Sequence, residues 1–170
     1  GSNPPSDLAL SDRYQLDIST QHPVVKRAPD VTGTRLVTLR ESQLVSLAPI
    51  FKNIFAQSLA EPVTDFAELD QAIRTTGTPL VWSYVALEDG IHVAYPGKGT
   101  YSDTYDPRQR PWYQDSVEHS TPTCLPPYTD SMGQGLLLPC TLSVRTESGQ
   151  LMGVAGIELS LGYFSEQSLA

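Results

Sequence analysis

Apolar residues recur at helical spacing through Leu36, Leu39, Leu44, Leu47, Phe51, Ile54, Phe55 and Leu59, which predicts helix over about 36–60. Pro49 falls inside that stretch, where its ring and missing N–H must kink the helix or split it in two. A second, short helix is predicted over about 65–75. Thr64 or Asp65 caps it, Phe66, Leu69 and Ile73 form its apolar stripe, and Gly77 with Pro79 ends it. The period then changes. Residues 80–87 (LVWSYVAL) form a nearly continuous run of residues that suit a pleated surface. Asp89-Gly90 is a strong hairpin turn, and 91–95 (IHVAY) returns from it. After a polar loop over 96–110, Pro111 opens a short helix to about 119, where its missing N–H is not needed. Three further strands are expected near 124–130, 135–146 and 150–161. The expectation is an α+β domain: one five-stranded antiparallel sheet, with the 36–60 helical segment packed on one side.

The first 33 residues look different. They contain Pro4, Pro5, Pro23 and Pro29 and few periodic apolar positions. They read as an irregular N-terminal arm, pinned by Leu8-Ala9-Leu10 and Val24-Val25, and Gly1-Ser2 reads as an expression scar. Residues 34–170 then make a single domain, as expected when one domain takes about 100–200 residues. A 39% hydrophobic fraction suffices for one core. The net charge of −8 argues against a polyanionic partner such as nucleic acid. No apolar run approaches the ~20 residues that span a bilayer, so the piece reads as soluble, and the Gly1-Ser2 scar marks it as a domain excised from a longer protein.

Ser131-Met132-Gly133 and Glu147-Ser148-Gly149 both place glycine last in a three-residue hairpin loop, the position that needs φ > 0. In the resulting register Asp130 faces Gln134, Thr146 faces Gln150, and Cys124 falls opposite Cys140. Two readings stay open for the cysteines, a cross-strand disulfide or two buried thiols. They are too few and too far apart for a zinc ribbon or a CxxC redox site.

Enzyme motifs fail. Gly97-Lys98-Gly99-Thr100 lacks the spacing of a phosphate loop and reads as a surface turn. GxSxG and HExxH are absent, and His22, His92 and His119 share no motif with a carboxylate or a cysteine. The expectation is no catalytic residue, no metal and no cofactor.

The specific signal is Tyr105-Asp106-Pro107-Arg108-Gln109-Arg110-Pro111-Trp112-Tyr113, followed by Pro127-Tyr128-Thr129-Asp130 and by Gly153-Val154-Ala155-Gly156-Ile157-Glu158-Leu159. Over roughly residues 80–165 the chain resembles the Cache family of extracytoplasmic sensor domains, PAS-like modules with a ligand pocket on one face of a central antiparallel sheet. The family serves chemoreceptors, sensor kinases and cyclic-nucleotide enzymes. Its amino-acid-binding subset looks like Tyr-x4-Arg-x-Trp, then Tyr-x-Asp, then an Asp in the last strand. Here Tyr105, Arg110, Trp112, Tyr128 and Asp130 match, and Glu158 stands where the subset has Asp. The resemblance implies carboxylate contacts from Arg110, Trp112 and Tyr128, and ammonium contacts from Asp130, Glu158 and Tyr105. It also implies an extracytoplasmic location, attachment to the membrane only through segments outside this chain, and a small-molecule partner. A homodimer is compatible with it. That location favours the disulfide. Many double Cache sensors begin with a long helix, which the proline-rich start argues against here.

The residue chemistry fits an amino acid beside the resemblance. Arginine offers a fork of donors matched to a carboxylate, while carboxylates and a phenol accept from an ammonium. Tyr128 and Asp130 point to one face of a strand. Tyr128 and Ser160 both face Leu136 in the register above, so Glu158 shares that face about 10 Å away. Plainer roles stand beside these. Arg110 and Arg108 can pair with Asp103, Asp106 or Asp115, Trp112 can be a core anchor, and Tyr128 and Asp130 can be strand-end and turn residues. The extra methylene of Glu158 shortens the pocket by roughly 1.5 Å. It favours a smaller ligand or defeats amino-acid binding. The alternatives to an amino acid are an organic acid, an amine, or an interaction module with an empty pocket.

Overall fold

The computed structural model describes residues 4–130 and 133–168. Its strands are β1 (Ala9–Leu10), β2 (Asp17–Ser19), β3 (Val24–Arg27), β4 (Leu80–Leu87), β5 (Ile91–Tyr95), β6 (Gly97–Lys98), β7 (Thr123–Cys124), β8 (Tyr128–Thr129), β9 (Leu136–Arg145) and β10 (Leu151–Ser160). The α-helices are α1 (Arg35–Val45), α2 (Ala48–Ser58), α3 (Phe66–Gln71), α4 (Pro111–Ser116) and α5 (Leu161–Ser168). Pro49 splits the predicted 36–60 helix and sits in the first turn of α2, where no N–H is required. Asp65 caps α3 by accepting from the Ala67 and Glu68 amides. A π-helical turn over Ala72–Thr76 extends α3 to Gly77, whose φ of 109° ends it.

The main sheet is antiparallel, with strand order β3-β5-β4-β10-β9-β7, and β8 also pairs with β9. It exceeds the expected five strands in two ways. The expected 124–130 strand is broken into β7 and β8 around Pro126-Pro127, which have no N–H to give a ladder. And β3, from the arm expected to be irregular, forms the far edge by pairing with β5. The arm also gives β1 and β2, which form a small sheet with β6 in the order β1-β2-β6. Buried Tyr14 closes the arm onto β4 by donating to the Val81 carbonyl at 2.6 Å. Gly1-Ser2 and the 131–132 part of the first hairpin loop lie outside the described residues.

Both hairpins depart from the expected register by one residue. Cys124 faces Cys140 as counted, and the two form a disulfide. Beyond the prolines, however, Tyr128 faces Leu137 rather than Leu136. In the second hairpin Leu151 faces Arg145 as counted, but a shift before Gly153 moves Ser160 onto Leu137. The two shifts cancel, so Tyr128 and Ser160 still flank one residue, and Glu158 keeps their face. Gly153 marks a close approach: a Cβ there would lie 2.2 Å from the Ala86 carbonyl oxygen.

Alternation divides the strands between two layers. Tyr95, fully buried on β5, meets the α2 residues Phe51 in a stacked pair at 6.0 Å and Phe55 edge-on at 5.2 Å. The opposite face carries α4, whose Tyr113 packs with Ala86 and Val154. The rest of that face is left to the side chains described next.

Candidate functional site

On the face opposite α2, one cavity of about 250 Å³ opens between the sheet and the 99–112 segment. Strand alternation supplies its floor: Trp82 and Tyr84 from β4, His92 and Ala94 from β5, and Glu158 from β10. Tyr128 on β8 and Asp130 just beyond it close one end, and Lys98 comes from β6. Tyr101, Tyr105, Arg110 and Trp112 descend from the segment above. Thus all six residues singled out in the sequence (Tyr105, Arg110, Trp112, Tyr128, Asp130 and Glu158) line one cavity.

The two arginines of the loop behave differently. Arg108 is held by Asp106 at 2.8 Å and Asp30 at 2.6 Å, and donates to the Glu88 carbonyl at 3.3 Å. These contacts lock the loop and push the guanidinium pKa up, first through the Asp106 hydrogen bond. Arg110 makes no ion pair among the described residues, so the pairing with Asp103, Asp106 or Asp115 weighed above falls to Arg108 alone. Its neighbour Pro111 starts α4, and Trp112 rests on Tyr84 with ring centroids 4.6 Å apart. Trp112 is therefore core anchor and pocket wall together. Asp130 likewise serves the turn, accepting from the Gln134 amide at 3.2 Å, while facing the cavity.

Glu158 is 4% exposed, and its Oε1 accepts from the Tyr128 hydroxyl at 2.7 Å. Burial pushes its pKa up to about 7. The Tyr128 hydrogen bond works against that shift, Asp130 adds to it, and Lys98 and Arg110 oppose it. Gly156 makes room on this face, since a Cβ there would strike the Tyr84 ring at 2.6 Å. The buried Tyr84 hydroxyl lies close to the Glu158 carboxylate, and burial and that charge push its pKa well up. Among the described residues neither ring nitrogen of His92 has a hydrogen-bond partner, although the residue is 3% exposed. Burial, with Lys98 and Lys26 nearby, takes His92 down to about 3, so it is neutral. The rings of Tyr101 and Tyr105 each sit 5.2 Å from it.

Lys98 corrects the surface-turn reading of Gly97-Lys98-Gly99-Thr100. Gly97 and Lys98 pair with Ser19 and Ile18 of β2, and the ammonium lies 4.9 Å from the Trp82 ring centre and 4.7 Å from that of Tyr101. Trp82, Tyr84, His92, Lys98 and Tyr101 were thus missed as site residues. A signal existed for three of them: once 80–87 and 91–95 are strands, Trp82, Tyr84 and His92 fall on one face by alternation. Two cations, two carboxylates and unpartnered polar atoms in one small cavity suit a compact ligand bearing both charges. Among the described residues no group of three or more His, Cys, Asp or Glu could hold a metal ion.

Sheet, helices on both faces and pocket together make an α+β domain that carries its cavity on one face of an antiparallel sheet. No family model matches the chain. Over 109 residues it is 35% identical to the methyl-accepting chemotaxis protein PctB of Pseudomonas aeruginosa, an alignment covering 62% of this chain and 17% of that protein. Among solved structures it is similar to the ligand-binding domain of the Pseudomonas fluorescens chemoreceptor CtaA in complex with L-serine, at 26% identity and a TM-score of 0.45, covering 76% of this chain and 54% of that one. The ligand-binding domain of P. aeruginosa PctB in complex with L-Gln gives 26% identity and a TM-score of 0.46, covering 76% and 53%. The chain spans about half the length of those domains and about a sixth of the curated relative.

Proposed function

We propose that this chain is an extracytoplasmic sensing domain of a transmembrane chemoreceptor, and that it binds a small amino acid in the cavity on its sheet. No described helix is long and apolar enough to cross a membrane. The observation that carries the reading is the charge layout: the Arg110 guanidinium, in no ion pair among the described residues, shares a cavity of about 250 Å³ with Asp130 and Glu158. A planar carboxylate meets the fork of Arg110 beside Trp112, while the ammonium, one carbon away, is received by Asp130, Glu158 and the phenol of Tyr105. Glu158 in place of an aspartate brings its carboxylate further into the space and favours a compact ligand. The likeness to a chemotaxis protein, and to domains solved with L-serine and L-Gln, supports the same assignment.

Thermal unfolding in the presence of single compounds tests this, because a ligand of the folded state raises the melting temperature by mass action. L-amino acids are expected to raise it, and the matching decarboxylated amines and deaminated acids to raise it less. An organic-acid sensor reverses the result for the deaminated acids, and an amine sensor for the amines. No shift with any class favours an interaction module.

A further inference from the structure

The zwitterion reading uses one cation, and the cavity has two. Lys98 sits on β6, fixed by its pairing with β2 and by a backbone so tight that a Cβ on Gly97 would lie 2.4 Å from the His22 carbonyl oxygen. Its ammonium is held between the rings of Trp82 and Tyr101 and makes no ion pair among the described residues. It is close enough to Asp130, Glu158 and Arg110 to interact with all three charges, yet it neutralises none of them by direct contact. An amino acid with a neutral side chain would occupy Arg110 with its carboxylate and the two acids with its ammonium. Lys98 would then face an uncharged group while partly stripped of water, an unfavourable arrangement. A second carboxylate would complete the set.

We infer that the cavity selects α-amino acids with an acidic side chain, Lys98 receiving the side-chain carboxylate while Arg110 receives the α-carboxylate. This rests on the amino-acid reading above and names the ligand class within it. Lys98 lines the cavity with its ammonium beside two aromatic rings and in no ion pair among the described residues, and β6 gives it a fixed origin. Burial pulls the Lys98 pKa down while Asp130 and Glu158 hold it up; a bound carboxylate adds to the second effect and keeps Lys98 charged.

Calorimetric titration with two near-isosteric pairs tests the inference, L-glutamate against L-glutamine and L-aspartate against L-asparagine, with L-alanine and L-serine as neutral references. The unmodified chain is expected to bind at least one acid about ten-fold more tightly than its amide. In Lys98→Met, which keeps an apolar stem for Trp82, that ratio should collapse to within about three-fold through loss of acid affinity, and Lys98→Arg should keep it. Should Lys98→Met fail to fold, Lys98→Gln gives the same comparison. Amides or neutral amino acids binding as tightly as the acids overturn the inference and leave the amino-acid reading standing. An acid preference that survives in a folded, uncharged variant overturns it too. If no amino acid binds the unmodified chain, the underlying reading falls and the inference with it.

Discussion

The two faces of the sheet are built from the same strands and have opposite characters. On the α2 side, Val81, Val93 and Tyr95 share one hydrophobic cluster with Phe51 and Phe55, and the Tyr95 hydroxyl is satisfied by the Thr20 carbonyl at 2.7 Å. The other face sets Tyr84, His92 and Glu158 among Trp82 and Ala94, and leaves both His92 nitrogens without a hydrogen-bond partner among the described residues. Buried polar groups left so cost stability, whereas apolar burial stabilises. The contrast teaches where each property resides. One face holds the sheet together; the other holds groups that gain when something polar arrives.

The largest effect should come from breaking the first face. Phe55 is fully buried against Tyr95, so Phe55→Ala removes a whole ring from the core. It should cost about 3–5 kcal/mol in urea unfolding, while the affinity of the fraction still folded stays unchanged. A large change in affinity with little loss of stability would mean the two faces are not separable in this way.

That division was legible in part. Strands β4 and β5 coincide with their apolar runs because Asp89-Gly90 fixes a tight turn between two segments long enough to show their pattern. The arm was opaque because β3 is four residues long, half-buried throughout, and follows Pro23. Nothing local marks such a strand; only the open edge of β5 calls it in. Registers slipped by one where Pro126-Pro127 and the shift before Gly153 interrupt the ladders, features that counting from a turn does not detect. In the site, the six motif residues converge on one cavity. Lys98 was missed because a Gly-Lys-Gly-Thr stretch looks like exposed turn chemistry until β2 pairs with it, and β2 lies in the arm that was itself misread.

Arg108 and Arg110 repeat the contrast within one loop. Arg108 works for the fold: Arg108→Ala releases Asp106 and Asp30 and should cost about 1–2 kcal/mol of stability. Arg110 works for the pocket: Arg110→Ala should leave stability within about 0.5 kcal/mol but weaken amino-acid binding by more than about 2 kcal/mol. With the decarboxylated amine as ligand, the sensitivity to Arg110 should vanish while that to Glu158 remains. Calorimetry on both folded variants separates the roles. Equal losses of affinity for the two would mean that the loop itself had been damaged, and Arg110 would lose its place at the ligand.

The most gradual effect, spread over pH rather than set by one substitution, concerns the proton on Glu158, and it sharpens the comparison because one group there costs stability and serves binding. Its folded-state pKa, about 7, lies above the ordinary 4.5, so between those values the folded chain keeps a proton that the unfolded chain has lost. Stability from this group therefore falls as pH rises through that window and levels off above it. At about 1.4 kcal/mol per pH unit across that window, the loss is on the order of 3 kcal/mol. Glu158→Gln keeps an acceptor for Tyr128 and cannot ionise, so its stability should be flatter with pH and should exceed that of the unmodified chain on the alkaline side. Binding should move the other way. An ammonium beside Glu158 favours the charged carboxylate, so affinity should rise as pH increases through about 7. In Glu158→Gln that rise should disappear and affinity should be lower throughout. Paired measurements of unfolding free energy and affinity across this range decide the matter. An affinity that falls with pH in the unmodified chain would show that the ligand prefers the protonated acid, and would remove the ammonium from the side of the cavity that Glu158 occupies.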